Sequence, residues 1–127
     1  MTVSKQPTIS VVIANYNYEK FVGDAIESLL SQDVPVEIVV VDGASTDNSV
    51  EVIKPYADRV KTVFLEQIRG QGGGLNAGFE YATGTLVMFL DADDFLVPGG
   101  ARTILDHYTP GVAIYHYRMF YGTEDGE

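Results

Sequence analysis

The sequence predicts a three-layer α/β/α fold, in which helices cover both faces of a mainly parallel β-sheet. Two observations support this prediction. Short apolar runs rich in β-branched residues alternate with helical patterns along the chain. These runs are also apolar at nearly every position, as is typical of strands buried on both faces. The 127 residues, 46% of them hydrophobic, fit one domain, 1–127, with a substantial core.

Five segments have the composition of buried strands. They are residues 8–14, 36–41, 60–65, 85–90 and 112–117. Helical stripes of apolar residues lie between and after them. The predicted helices are residues 21–31, 48–56 with Asp47 or Thr46 as N-cap, 75–82 with its stripe at Leu75, Gly78, Phe79 and Ala82, and 98–108 with Pro98 in the first turn. Residues 69–74 are predicted to form a glycine-rich loop.

Composition excludes several classes of site. The chain has no cysteine, which excludes disulfides, thiolate metal sites and a cysteine nucleophile. Its net charge of −10 and the absence of a basic cluster argue against nucleic-acid binding. An acidic protein can still bind an anionic substrate through a divalent cation, which reverses the local sign of charge.

No targeting or membrane segment is recognisable in this sequence. Residues 1–6 are polar and lead directly into the first predicted strand. The longest apolar stretches, near residues 36–41 and 86–90, are too short to cross a bilayer. We therefore expect a soluble chain in the cytoplasm, while a membrane segment in a longer parent protein stays open.

Three acids directly follow the almost wholly apolar fourth strand. They are Asp91, Asp93 and Asp94. Ligands of parallel α/β sheets bind at the carboxyl ends of the strands, which is where this cluster lies. Crowded carboxylates repel one another unless a cation joins them, and Mg²⁺ or Mn²⁺ is usually held by such oxygens together with phosphates. A solvated turn that leads into the next helix is the alternative.

The ends of the first two strands carry further candidates. Asp42 ends the second strand, where its carboxylate could accept a hydrogen bond from a nucleobase N–H. The alternative is turn-and-cap chemistry of the kind that residues 45–49 supply. Tyr16 follows the first strand and could flank a base or simply pack against the protein.

Residues 9–17, 39–49 and 70–94 together resemble the hallmark segments of family 2 glycosyltransferases, in order and in spacing. The resemblance extends from residue 8 to about residue 117. It implies a GT-A fold with a Rossmann-like sheet and a nucleotide-diphospho-sugar donor, with a UDP-sugar favoured. It also implies Mg²⁺ or Mn²⁺ as cofactor, a carbohydrate or lipid-linked acceptor, and an inverting reaction.

By position, the resemblance also implies roles for individual residues. The expected donor-binding residues are Ala14, Asn15, Tyr16, Asp42, Arg69, Gly72, Asn76, Asp91 and Ala92. The expected metal ligands are Asp91, Asp93 and Asp94, with Asp93 as the main one and Asp91 at the metal or the ribose. Asp42 would lie at the nucleobase.

This sequence departs from the family pattern at three positions. Many members have proline near Ala14. Many have a second acid where this chain has Gly43, which puts the nucleobase preference in doubt. Leu75 stands where arginine is frequent, so Arg69 is the nearest cation for the donor. The alternative for Arg69 is a solvated loop charge.

No residue of the chain is a good candidate for the base that must deprotonate an acceptor hydroxyl. His107 and His116 lie in a predicted helix and a predicted strand, where structural roles are expected. In the resembled family the base is an acid well downstream of the metal motif, so we expect it beyond Glu127. An apolar, aromatic extended segment at 112–121 is followed by a hairpin-like turn at 124–126 without a return strand. This pattern predicts an N-terminal part of a longer protein, with a frayed natural tail as the alternative. We expect self-association through 112–121, or else disorder of that segment.

Three other functions are the alternatives to a glycosyltransferase. A nucleotidyltransferase or a dinucleotide dehydrogenase would want a glycine-rich phosphate loop after the first strand, and residues 15–18 do not form one. A non-catalytic nucleotide-binding or interaction module stays open. Metal-dependent binding of a nucleoside diphosphate would separate a transferase domain from an interaction module.

Overall fold

The computed structural model describes residues 6–111. Within them lie the strands β1 Ile9–Asn15, β2 Val36–Asp42, β3 Lys61–Phe64 and β4 Leu86–Asp91. The helices are α1 Val22–Leu30, α2 Ser49–Ile53, α3 Gly70–Phe79 and α4 Gly100–Asp106, with a 3₁₀ turn Lys54–Tyr56 after α2. The strands form one parallel sheet in the order β3-β2-β1-β4. The predicted α/β fold with a parallel sheet is therefore confirmed.

Both faces of the sheet are buried, because successive strand residues point to opposite sides and both sets are apolar. On one face, Val11 and Ile13 of β1 belong to a core cluster that also contains residues of α1, α2 and α4. On the other face, Val12, Val39 and Val41 are covered by α3 through Leu75 and Ala77. These contacts produce the predicted three layers.

The carboxyl edge of the sheet has a switch point between β1 and β4. β1 pairs with β2 on one side and with β4 on the other, so the chain reverses its direction of travel across the sheet there. The register places Ala14 opposite Asp91 and Asn15 opposite Asp42. In open α/β sheets the crevice at such a point is the usual place for a ligand. The fold thus brings the carboxyl ends of β1, β2 and β4 together at one edge.

The predicted loop at residues 69–74 is wrong, because α3 already begins at Gly70. Glycine disfavours a helix by roughly 1 kcal/mol per residue relative to alanine, which is why the local sequence indicated a loop. Packing reverses that preference here. A Cβ at Gly78 would overlap the Val12 side chain, and one at Gly74 would meet Ala14 Cβ at 3.5 Å. The glycines allow α3 to lie very close to the sheet.

Other boundaries differ by smaller amounts. The predicted first turn at Pro98 is a separate turn, and α4 begins after Gly99, whose φ is 79°. Asn48, rather than Asp47 or Thr46, is the N-cap of α2, and Asp47 Oδ1 accepts a hydrogen bond from the N–H of Ser49 at 2.9 Å.

Two members of the predicted apolar stripe of the glycine-rich helix do not follow the prediction. Phe79 is 55% exposed, and Ala82 lies beyond the last residue of α3. The predicted strand at 112–117, the turn at 124–126 and the self-associating segment 112–121 lie outside the described residues. Across residues 6–111, no helix combines the length and apolarity needed to cross a bilayer.

Glu37 joins the strands near the opposite, amino edge of the sheet. Its carboxylate accepts hydrogen bonds from Ser10 Oγ at 2.8 Å, the Thr83 N–H at 2.8 Å and Lys61 Nζ at 3.1 Å. Burial by itself would raise the pKa of Glu37, but these hydrogen bonds outweigh burial and lower the pKa from 4.5 to about 2. Glu37 is therefore a structural carboxylate.

Candidate functional site

A tight turn after β4 carries the three predicted acids. The turn is closed by a hydrogen bond of 3.0 Å from the Asp94 N–H to the Asp91 carbonyl oxygen. Ala92, only 1% exposed, anchors the turn in the core. Asp91 and Asp93 are exposed, Asp94 is half-buried, and each offers a carboxylate oxygen such that all three lie within 4.8 Å of one another. The predicted cluster is thus one compact group of oxygens.

The negative charge of this turn has no cationic partner in the described part of the chain. The ion pairs of residues 6–111 join Arg59 to Asp58, Lys61 to Glu37 and Arg102 to Asp33, all away from the turn. Burial raises the pKa of Asp94, and the charges of Asp93 and Asp91 raise it further. Three clustered carboxylates without a cationic partner fit Mg²⁺ or Mn²⁺, because these ions prefer oxygen ligands and complete their shell with water and phosphate.

Gln71 contacts this turn from α3. Its Nε2 donates to Asp91 Oδ1 at 2.6 Å. Gln71 lies in the first turn of α3, so the hydrogen bond places the amino end of the glycine-rich helix beside the acids. Sequence reasoning missed Gln71 because residues 69–74 were expected to form a loop. An exposed amide side chain between glycines offered no other signal.

Asp42 and Asn15 lie side by side at the ends of β2 and β1, and both are buried. Asp42 is 1% exposed and Asn15 is 2% exposed. Asp42 Oδ1 accepts hydrogen bonds from Asn15 Nδ2 at 3.0 Å and from Ser45 Oγ at 2.7 Å, while Asp42 Oδ2 accepts one from the Ser45 N–H at 3.0 Å. Both carboxylate oxygens of Asp42 are therefore engaged within the protein.

Asn15 Oδ1 has no hydrogen-bond partner among residues 6–111, although the atom is buried. The orientation of this amide follows from Asp42, because the carboxylate accepts and so requires the Nδ2 group. A buried acceptor without a partner is uncommon and is often completed by a water molecule or a ligand. It is a second polar feature of the carboxyl edge, beside the acid turn.

Asn17 and Asp47 connect the same two loops above this buried pair. Asn17 Oδ1 accepts hydrogen bonds from the N–H groups of Thr46 at 2.8 Å and Asp47 at 3.2 Å. Asp47 Oδ2 accepts one from the Glu19 N–H at 3.1 Å. Burial raises the pKa of Asp47, but hydrogen bonds from Ser49 and Glu19 outweigh burial and lower it. These residues were not predicted as a unit, because their partners are about 30 positions away in sequence.

Tyr16 lies between these connections and is 42% exposed. The neighbouring Gly43 donates its N–H to the Asn15 carbonyl oxygen at 2.8 Å, and a Cβ on Gly43 would lie 3.9 Å from Tyr16 Cβ. Tyr16 is therefore not a fully packed core tyrosine. The ring stands at the carboxyl edge with a surface available to a ligand.

The predicted residues around the glycine-rich segment lie along α3. Arg69 occupies the N-cap position, and Gly72 and Asn76 are exposed residues of the helix. Arg69 also lines an open cavity of about 330 Å³ beyond the end of β3, with Phe64, Leu65, Glu66 and Gln67. The Leu65 N–H donates to the Asp42 carbonyl oxygen at 2.9 Å, so this cavity adjoins the end of β2.

His107 is placed as a structural residue would be. It follows α4, and its Nδ1 lies 2.8 Å from the Thr103 carbonyl oxygen of that helix. His116 lies outside the described residues. The structure thus groups the predicted site residues of β1, β2, β4 and α3 at one edge, while their contacts with a ligand stay predictions.

Residues 10–126 match the protein family described as Glycosyl transferase family 2. The chain is also 47% identical over 103 residues to an uncharacterised glycosyltransferase of Nostoc sp. strain PCC 7120. That similarity covers 77% of this chain and 32% of the relative. The chain therefore spans about a third of the length of this curated relative.

Two solved structures have the same fold. A mannosyltransferase from Pyrobaculum calidifontis in complex with GDP-Man and Mn²⁺ matches with a TM-score of 0.75 and 27% identity, over 86% of this chain and 34% of that one. TarS residues 1–349 from Staphylococcus aureus in complex with UDP-GlcNAc matches with a TM-score of 0.71 and 28% identity, over 86% of this chain and 37% of that one. The predicted GT-A fold is confirmed by these matches.

Proposed function

This chain belongs to glycosyl transferase family 2, and from that premise we propose that it is the donor-binding domain of a glycosyltransferase that uses a nucleotide-diphospho-sugar and a divalent metal. One observation carries the proposal. The acid turn of Asp91, Asp93 and Asp94 lies at the switch point of the sheet, with Asp91 opposite Ala14. A cation site and a nucleoside site would thus share one crevice. A cytoplasmic location is part of the same proposal.

The metal would be held by Asp93 and Asp94, with Asp91 at the metal or the ribose. When bound, Mg²⁺ or Mn²⁺ offsets the negative charge that develops on the leaving diphosphate. The protein itself positions the donor and keeps the three carboxylates together through the turn that Ala92 anchors. The Mn²⁺ in the mannosyltransferase complex supports a divalent metal for this fold.

The nucleoside would lie along the edge formed by the ends of β1 and β2 and by α3. The residues proposed to form the donor site, by contact or from beneath its surface, are Ala14, Asn15, Tyr16, Asp42, Arg69, Gly72, Asn76, Asp91 and Ala92. The exposed ring of Tyr16 and the cavity at Arg69 support this path. The similar structures contain UDP-GlcNAc or GDP-Man, so a nucleoside diphosphate is their shared feature, and a UDP-sugar is the donor we favour.

Transfer would be inverting, with a carbohydrate or a lipid-linked acceptor. Such a reaction needs a base within hydrogen-bond reach of the acceptor hydroxyl. The acids at the carboxyl edge have other roles in this proposal: Asp42 is buried and internally bonded, and the acid turn holds the metal. A base beyond Glu127 stays a prediction.

Calorimetric titration of the full chain with UDP and GDP, each with Mn²⁺ and with a chelator, tests the proposal. We expect binding of at least one nucleoside diphosphate that disappears when the metal is removed. Release of nucleoside diphosphate from a panel of nucleotide sugars then tests the chemistry. The absence of metal-dependent nucleotide binding would leave the interaction module as the better interpretation.

A further inference from the structure

The buried position of Asp42 bears on how the proposed donor site recognises its nucleobase. A carboxylate that reads a base must present an oxygen to the ligand. Asp42 is 1% exposed, and its two oxygens accept three hydrogen bonds from Asn15 and Ser45. A base N–H would have to displace these donors and open the loop above them.

The same hydrogen bonds join the loops after β1 and β2, which the contacts of Asn17 and Asp47 also connect. Ser45 Oγ donates to Asp42 and accepts from the Asn17 N–H at 3.0 Å. Asn17 and Ala44 both have left-handed backbones, with φ of 60° and 66°. Residues other than glycine adopt this region at a cost, so the surrounding contacts must maintain it. The Asp42 carboxylate is the buried centre of those contacts.

We propose that Asp42 is a positioning residue of the donor site, which holds the loops after β1 and β2 together and does not contact the nucleobase. This inference rests on the proposed function. It replaces the direct contact that the sequence suggested for Asp42. This network fixes the position of the exposed Tyr16, because Tyr16 lies between Asn15 and Asn17 in sequence and beside Gly43. The nucleobase therefore meets the Tyr16 ring and loop backbone atoms.

Direct contact and positioning differ in their effect on base selectivity. An Asp42→Asn variant exchanges an acceptor for a donor at one atom. A direct contact would then change the ratio of UDP to GDP affinity, because the two bases present different edges. A positioning role predicts that both affinities fall together, by about tenfold if one hydrogen bond to a charged group is lost, while their ratio stays within about twofold.

A Ser45→Ala variant separates the two roles without changing Asp42. It removes the Oγ that bridges Asp42 and the Asn17 N–H. If Asp42 is a positioning residue, Ser45→Ala lowers the affinity for UDP and for GDP as Asp42→Asn does. The Asp42→Asn, Ser45→Ala double variant then has an affinity little lower than either single variant. Under direct contact, Ser45→Ala leaves affinity near that of the wild type.

Two controls distinguish positioning from general destabilisation. Asp33→Asn removes one carboxylate at an exposed ion pair with Arg102, and Glu37→Gln weakens the amino edge of the sheet. Both should bind UDP and GDP like the wild type under conditions where they are folded. Hydrogen exchange should show lost protection at the N–H groups of Ser45 and Asn17 in Asp42→Asn, but not in these controls.

The experiment is calorimetric titration of each folded variant with UDP and GDP in the presence of Mn²⁺, together with hydrogen exchange. A changed UDP-to-GDP ratio in Asp42→Asn with unaffected binding in Ser45→Ala overturns the positioning role. Unchanged exchange at the two loops overturns it as well. If the wild type binds neither nucleotide, the proposed function fails, whereas hydrogen exchange still reports whether Asp42 holds the loops.

Discussion

Gln71 Nε2 lies 2.6 Å from Asp91 Oδ1 and joins the first turn of the glycine-rich helix to the acid turn after β4. The contact connects residues 20 positions apart and engages one oxygen of a proposed metal ligand. A residue that hydrogen-bonds a metal ligand fixes the orientation of that ligand and changes the affinity of the site for the metal. Gln71 is therefore expected to orient Asp91 when a metal binds.

Replacing Gln71 by alanine should weaken Mn²⁺ binding in the presence of nucleoside diphosphate by about tenfold. This is the low end of the range for residues that hydrogen-bond a metal ligand, because Gln71 is exposed. Thermal unfolding without metal should be unchanged. The measurement is a Mn²⁺ titration of wild type and variant, with Gln6→Ala as the control at an exposed glutamine outside the site. Equal affinities of Gln71→Ala and Gln6→Ala would refute the orienting role.

Asp93→Ala should abolish the metal-dependent part of nucleotide binding, because it removes the expected main ligand and leaves two acids. Mn²⁺ should bind the wild type weakly by itself and more tightly with a nucleoside diphosphate, since the phosphates complete the coordination. Calorimetry with and without UDP measures both. Asp33→Ala, at an exposed acid that pairs with Arg102 away from the site, is the matched control. Mn²⁺ binding that survives in Asp93→Ala would show that the metal assignment is wrong.

Two glycines of α3 should respond to alanine with opposite signs. A Cβ at Gly78 would overlap Val12, so Gly78→Ala should lower the free energy of unfolding by about 1–3 kcal/mol through overpacking. A Cβ at Gly72 has nothing within 4 Å, so Gly72→Ala should raise the free energy of unfolding by about 0.4–1 kcal/mol. Urea denaturation of both variants measures this. Shifts of the same sign would contradict the packing proposed for α3.

The free energy of unfolding should decrease at low pH because of Glu37. The pKa of this carboxyl is about 2 in the folded protein and 4.5 ordinarily, so its stabilising effect is complete above pH 4.5 and is lost as the pH falls towards 2. Glu37→Gln should therefore be less stable than the wild type near neutral pH, by about 1–3 kcal/mol for hydrogen bonds to a charged group.

The difference between Glu37→Gln and wild type should shrink as the pH is lowered through this window. Urea midpoints near neutral pH and near pH 3 would measure it, and Asp33→Gln is the control at an exposed carboxyl. A constant difference across the window would mean that Glu37 is not the titrating group. Binding of UDP and Mn²⁺ at neutral pH should be unaffected, since Glu37 lies at the amino edge.

The sequence determined the parallel α/β architecture, because apolar runs buried on both faces can be satisfied only by helices on both sides of a sheet. It also determined where the acids lie, since Asp91, Asp93 and Asp94 directly follow a strand whose end must face the ligand edge. These features are local, and hydrophobic periodicity together with strand-end position is enough to predict them.

Only the tertiary structure decided the helix at Gly70, the engagement of Asp91 by Gln71 and the burial of Asp42. The first two depend on contacts between segments 20 or more positions apart. The burial of Asp42 depends on Asn15, 27 positions away, together with the neighbouring Ser45. The local preference of glycine indicated a loop, and an aspartate at a strand end looked accessible. Close packing of α3 on Val12 outweighs the preference of glycine for a loop. Hydrogen bonds from Asn15 and Ser45 hold the Asp42 carboxylate away from solvent.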